Sequence, residues 1–122
     1  DTLVWFENKC LGKPKDKKEA KYMLKLFAGK SHDVITSVAF LTISNFKILT
    51  ESTTVIYKNL TDSEIDYYVE NVNPIDKAGS YGIQDWIGMI GVEHVNGSYT
   101  SVLGLPVPQT TDQIIKIINE NL

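Results

Sequence analysis

The sequence predicts an α/β fold: a mixed, largely antiparallel, twisted sheet flanked by helices. Three observations carry this expectation. Two long runs rich in Val, Ile, Thr and Phe, His32 to Ile43 and Phe46 to Tyr57, follow one another with only Ser44 and Asn45 between them. Such neighbours read as paired antiparallel strands. Helical periodicity recurs on both sides of that pair, and a separate apolar run opens the chain.

Taken in order, "DTLVWF" reads as a buried strand whose first residue is a carboxylate. A turn is expected around Glu7 to Lys9. In "CLGKPKD", Gly12 and Pro14 argue against regular structure. Asp16 then caps a helix, with Glu19 at capping-box spacing and Ala20, Met23, Leu24 and Phe27 along one face, ended by Gly29. After the two long strands, Thr61 caps a second helix carrying Ile65, Tyr68 and Val69, which stops before Pro74. "DKAGSYGIQD", Asp76 to Asp85, has two glycines three apart and reads as a loop. "WIGMIGVEHV" and "SYTSVLGL" flank Asn96-Gly97, a pair suited to a tight hairpin turn, so a second hairpin is expected there. "TTDQIIKIINENL" closes the sequence as an amphipathic helix resting on Ile114, Ile115, Ile117 and Ile118.

The 122 residues are enough for one domain with an ordinary core. With 43% apolar and 22% charged residues the composition is that of a globular protein. No apolar run reaches the roughly 20 residues that cross a bilayer. A single cysteine, Cys10, allows no internal disulfide, which fits a reducing compartment. The sequons at Asn59 and Asn96 are read as coincidental, since nothing resembles a signal peptide. The expected location is cytoplasmic.

The net charge of −3 is unevenly spread: all twelve basic residues are lysine, and eight fall between Lys9 and Lys30. That cluster reads as a solvated helix face or as an attractor of phosphate. The lack of arginine speaks against bidentate reading of guanine, so polymeric nucleic acid is not an expected partner.

Several standard motifs fail. "LGKP" lacks the frame of a phosphate-binding P-loop, and no G-x-G-x-x-G follows a strand. His32, His94 and Cys10 have no neighbours at metal-ligand spacing. What remains is a set of polar residues at the ends of apolar elements: Asp1 and Thr2, Lys13, and Asp76, Lys77 and Gln84 on the glycine loop. Together they supply what a phosphate ester site needs. A carboxylate can hold a cation or take a proton from water, ammonium groups meet phosphate oxygens, and an amide can meet a heterocycle. Gly79 and Gly82 would let the backbone approach a flat ligand. The plain alternative is a glycine turn with a satisfied Asp-Lys pair.

"DTLV", "LGKP", "EAKYML", "HDVIT", "EIDYYVE", "DKAGSYGIQ" and "GSYTSVLGLPV" resemble, in order and spacing, the Maf family of nucleoside triphosphate pyrophosphatases. The match runs along nearly the whole chain. It implies the Maf/ITPase-like fold and hydrolysis of nucleotides at the α-phosphate to a monophosphate and pyrophosphate, with a divalent metal, Mg or Mn. By resemblance, Asp1 falls on the catalytic aspartate and metal ligand, and Lys13 on a phosphate-binding lysine. Thr2 and Gln84 fall on positions that choose the base, and Asp76 and Lys77 belong to the nucleotide site in general. The loop is similar to the branch acting on dTTP and UTP.

The resemblance also implies a segment ahead of Asp1, with a serine- and arginine-rich phosphate loop. The 122 residues are therefore expected to be a Maf-like domain lacking its N-terminal segment, truncated, cleaved or supplied separately. An inactive nucleotide-binding or interaction module is the alternative, and a homodimer is a further expectation. Asp85 stands where the family generally has glycine, which adds negative charge near a triphosphate if it points inward.

Overall fold

The computed structural model describes residues 1–122. Its centre is a five-stranded sheet in the order β2-β1-β3-β4-β5, formed by β1 (Thr2–Phe6), β2 (Lys9–Leu11), β3 (Ser31–Leu41), β4 (Phe46–Tyr57) and β5 (Val92–Asn96). All four ladders are antiparallel, the dominant arrangement of the expected sheet. The long β3–β4 hairpin lies where the two β-branched runs placed it.

Strand alternation sorts β1 into two faces. Val4 and Phe6 are buried, whereas Leu3 and Trp5 are exposed. On the same inner face, Val4 stands opposite Val34, and Val34 opposite Thr53. Two helices pack on that face: α1 (Lys17–Phe27) through Ala20, Met23, Leu24 and Phe27, and α2 (Asp62–Val72) through Ile65, Tyr68 and Val69. These are the faces that the periodicity assigned.

Caps start both helices. The Glu19 N–H donates to Asp16 Oδ1 at 2.8 Å, but the Glu19 carboxylate accepts from Lys15, so that box is not reciprocal. In α2 the box is complete: Glu64 N–H donates to Thr61 Oγ1 at 3.1 Å and Thr61 N–H to Glu64 Oε1 at 2.9 Å. The two helices run antiparallel, and the lysines of α1 meet carboxylates of α2. Lys17 reaches Glu70 at 3.2 Å, Lys21 reaches Glu70 at 3.0 Å and Asp66 at 3.5 Å, and Lys25 reaches Asp62 at 3.7 Å. This part of the lysine cluster is therefore a solvated, ion-paired helix face.

Three expectations are corrected. Cys10 and Leu11 of "CLGKPKD" belong to β2, because Glu7 and Asn8 both take positive φ (46° and 64°) and turn the chain back on β1.

The second hairpin does not form. Trp86–Gly91 is a helix, α3, Tyr99–Leu103 is another, α4, and β5 pairs with β4 instead. Gly91 explains part of this: a Cβ there would lie 2.7 Å from the Tyr57 ring, so its helix face sits directly on the core. After Gly97, Ser98 caps α4 by accepting from Ser101 N–H at 3.2 Å, while its own N–H donates to Thr53 Oγ1 at 3.0 Å.

The last helix, α5 (Val107–Glu120), forms, but of its four isoleucines only Ile117 turns inward, half-buried beside Phe40. The helix has no buried residue, and Ile114, Ile115 and Ile118 are 45%, 51% and 54% exposed. Side-chain atoms of Gln109, Thr110 and Gln113 are the buried ones. The start of the helix sets this rotation: Pro106 is buried, and Val107 N–H donates to Thr100 Oγ1 at 3.0 Å.

Candidate functional site

At the N-terminal end of β1 the inner face opens into a cleft of about 180 Å³. Its polar rim is Thr2, Lys77 and Gln84, and Ala78, Tyr81, Val102 and Leu103 form its apolar wall. A smaller recess of about 30 Å³, lined by Val4, Val34, Ala78, Tyr81 and Val102 with Thr2, continues it toward the core. Residues from the first and last thirds of the sequence thus share one depression.

Thr2 is held by hydroxyls. Its Oγ1 lies 3.0 Å from Thr36 Oγ1, and the fully buried Thr36 donates to the Ser101 carbonyl at 2.7 Å. The register of β1 on β3 sets Thr2 opposite Thr36, so the contact follows from strand pairing.

The glycine loop consists of two short 3-10 turns, Pro74–Asp76 and Ala78–Ser80, an extended Tyr81, and a turn at Ile83 and Gln84 that leads into α3. Gly79 has φ 71°, and a Cβ there would lie 2.8 Å from Val4 Cγ2. Glycine is what lets this loop lie against β1. What it approaches is the core. The Gly79 N–H also donates to the Gly12 carbonyl at 3.1 Å, which ties the loop to the segment carrying Lys13.

Lys77 Nζ lies 3.6 Å from Asp76 Oδ1 and 3.9 Å from Asp85 Oδ2. Asp85 is the residue whose role sequence reasoning missed. Its carboxylate accepts from the Tyr68 phenol at 2.8 Å, and the same phenol oxygen accepts from the Gly82 N–H at 3.3 Å. Burial, and then the bond to Asp85, push the Tyr68 phenol well above its ordinary pKa, so it stays a neutral donor. Asp85 therefore joins α2 to the loop. The signal was present in the tyrosine on the inner face of α2, which needs a polar partner for its hydroxyl.

Beneath the cleft wall, His32 Nε2 lies 2.6 Å from the Tyr81 phenol, and its ring stacks on Phe27 with centroids 4.2 Å apart. Burial lowers the His32 pKa to about 4, against a smaller opposing pull from Asp33. Both partners are neutral near pH 7, and His32 supports the wall through Tyr81.

Of the six candidate residues, Thr2, Lys77 and Gln84 line the cleft, and Asp1, Lys13 and Asp76 do not. Asp1 extends β1: its amino group donates to the Ser37 carbonyl at 2.9 Å, and its Oδ1 accepts from the Thr2 N–H at 2.9 Å. Alternation gives Asp1 the row of Leu3 and Trp5, with its carboxylate turned back toward Thr2 at the rim. Lys13 is exposed beside the glycine loop, and Asp76 reaches the site through Lys77. A hollow of about 210 Å³ between the β3–β4 tip and α5 carries only Lys47 and Glu120 as charges, 4.0 Å apart, and offers no reactive group.

The Maf-like protein family matches residues 1–117. The chain belongs to the Maf family. It is 49% identical over 122 residues to a dTTP/UTP pyrophosphatase of Christiangramia forsetii, covering 100% of this chain and 60% of that protein. It is 47% identical over 118 residues to the dTTP/UTP pyrophosphatase of Flavobacterium johnsoniae, covering 97% of this chain and 61% of that one. Against the dTTP/UTP pyrophosphatase of Flavobacterium psychrophilum the identity is 52% over 106 residues, covering 87% and 54%. This Maf chain thus spans 54% to 61% of the length of these relatives. As in the Maf resemblance read from the motifs, the fold is an antiparallel sheet flanked by helices, and no helix is long and apolar enough to cross a membrane.

Proposed function

We propose that this chain is a nucleoside triphosphate pyrophosphatase domain acting on dTTP, UTP and modified pyrimidine nucleotides. The supporting observation is the shared cleft of Thr2, Lys77 and Gln84, in a chain resembling proteins named for that activity. At about 180 Å³ it is smaller than the ~300 Å³ typical of a pocket enclosing a drug-sized ligand. It therefore takes part of a nucleotide, and the remainder lies across the rim.

In this reading water attacks the α-phosphorus, the bond to the bridging oxygen breaks, and a monophosphate and pyrophosphate leave. Asp1 accepts the proton of the attacking water, while Lys13 and Lys77 meet the phosphate oxygens. Asp76 holds Lys77 in place, and Gln84 and Thr2 face the base. Asp1 would also hold a divalent cation, Mg or Mn. One carboxylate with substrate oxygens and waters is a donor set that Mg²⁺ accepts, and the Asp1 carboxylate bonds to the Thr2 N–H through Oδ1, leaving Oδ2 for the cation. Such a cation, when bound, offsets charge on the phosphates.

One observation favours a second reading, an inactive nucleotide-binding or interaction module: Asp1 and Lys13 lie outside the lining of the cleft. The uncovered stripe of α5 supports a further protein surface against this chain, a complementary segment or a second copy. A cytoplasmic setting suits the exposed free thiol of Cys10.

The test is a panel of nucleoside triphosphates incubated with the full chain and Mg²⁺ or Mn²⁺. Pyrophosphate release, greatest with dTTP and UTP, is expected. Release of single phosphates would reject α-phosphate chemistry, and binding without turnover would favour the second reading.

A further inference from the structure

The hydroxyl chain behind Thr2 has a direction. The Ser101 carbonyl can only accept, so the single proton of Thr36 Oγ1 is committed to it at 2.7 Å. Thr36 is fully buried, which leaves its hydroxyl no solvent alternative. In the 3.0 Å contact between the two threonines, Thr2 must then be the donor. With its proton spent on Thr36, Thr2 Oγ1 has only lone pairs left for the cleft it lines. It faces toward Gly104, another residue of that lining, 3.9 Å from where a side chain there would begin.

We propose that Thr36 is a positioning residue that fixes Thr2 as an obligate hydrogen-bond acceptor, so that the group bound at this end of the cleft is the imide N–H of a pyrimidine base. The proposal rests on the nucleotide reading above and deepens it. A phosphate oxygen is itself an acceptor and is turned away from Thr2, toward the ammonium of Lys77 on the same rim. The cleft thereby acquires a polarity: base at Thr2, phosphates at Lys77. Uracil and thymine present N3–H to such an acceptor. Cytosine presents a bare N3 lone pair, which leaves two acceptors facing each other, a mismatch that sites built around a hydrogen bond reject strongly. Gln84 is exposed and its amide offers both a donor and an acceptor, so it can meet the O4 carbonyl of uracil or the C4 amine of cytosine and does not by itself discriminate. A sugar hydroxyl and the C4 amine of cytosine are the other donors that could meet Thr2, and the 3′-deoxy-UTP and CTP arms of the experiment test them.

The experiment measures equilibrium binding of UTP, CTP, 3-methyl-UTP and 3′-deoxy-UTP to the full chain by calorimetry, for wild type, Thr36→Ser and Thr36→Val. Wild type is expected to bind UTP about tenfold or more tightly than CTP and 3-methyl-UTP, and 3′-deoxy-UTP like UTP. Thr36→Ser keeps the relay and the preference. Thr36→Val frees the Thr2 proton to turn toward the cleft, so CTP should approach UTP within about threefold while 3-methyl-UTP, which gains no partner, stays weak.

A preference for UTP over CTP that survives Thr36→Val in a folded chain overturns the proposal. So does loss of affinity for 3′-deoxy-UTP with 3-methyl-UTP bound normally, which would put the sugar at Thr2. Should Thr36→Val fail to fold, equal wild-type binding of UTP and 3-methyl-UTP still overturns it. Binding of none of the four by wild type rejects the nucleotide reading itself, a different outcome from binding without discrimination.

Discussion

At the scale of single residues, the cleft depends on groups whose protonation is fixed by their surroundings. Asp1 is the residue on which hydrolysis turns in the proposed function. Asp1→Asn retains the bond to the Thr2 N–H but cannot accept a proton, so turnover should fall about 10²–10⁴-fold while dTTP still binds. Steady-state pyrophosphate release paired with calorimetry checks this, and an active Asp1→Asn chain would remove Asp1 from the chemistry. His32 makes a prediction about stability. Its folded pKa of about 4 lies below the ordinary 6.5, so between those values the unfolded chain binds more protons. Stability therefore falls as pH drops from about 6.5 toward 4, by up to about 3 kcal/mol from this group, and the loss levels off below its folded pKa. Urea melts at pH 7.5 and 4.5 should show that slope reduced in His32→Asn.

At the scale of elements, the glycine loop is the part that a small change damages most. Gly79→Ala places a Cβ 2.8 Å from Val4 Cγ2 at φ 71° and should cost about 1–3 kcal/mol. The same substitution should lower affinity for dTTP, since Lys77 and Gln84 hang from this loop; an unchanged urea midpoint would refute the close packing. Elements with local signals were legible in the sequence. Thr61 and Glu64 start α2, Asp16 starts α1, and β-branched runs make the long hairpin, because each of these is decided within a few residues. The helices α3 and α4, the pairing of β5 and the rotation of α5 were not. They are decided by contacts that no local pattern signals: the Tyr57 ring against Gly91, Thr53 holding Ser98, and Thr100, seven residues back, holding Val107. For the site, Thr2, Lys77 and Gln84 could be named from residue type and motif, and register brings Thr2 to Thr36. Tyr68 on the inner face of α2 signalled the need for a polar partner, but not that Asp85 supplies it, since that depends on how far α2 sits from the loop.

At the scale of the whole molecule, the sheet has helices α1 and α2 firmly on its inner face and α5 more loosely seated, with its apolar stripe outward. Ile115→Gln and Ile118→Gln should each change stability by less than about 0.5 kcal/mol in the isolated chain, because half of each side chain already meets water. Chemical melts of the single variants decide it, and a loss above about 2 kcal/mol in either would show that the stripe is covered. The Lys-carboxylate contacts between α1 and α2 lie at the surface and align the two helices more than they stabilise them.

The hydroxyl relay joins positions 34 and 65 residues apart in sequence. Contacts of such span form late and slowly, since long loops must close before they are rewarded. A polypeptide emerging from the ribosome can pair β3 with β4 well before Ser101 exists, yet it cannot orient Thr2 until that carbonyl arrives. If the relay selects the base as proposed, that selectivity waits until residue 101 has been made.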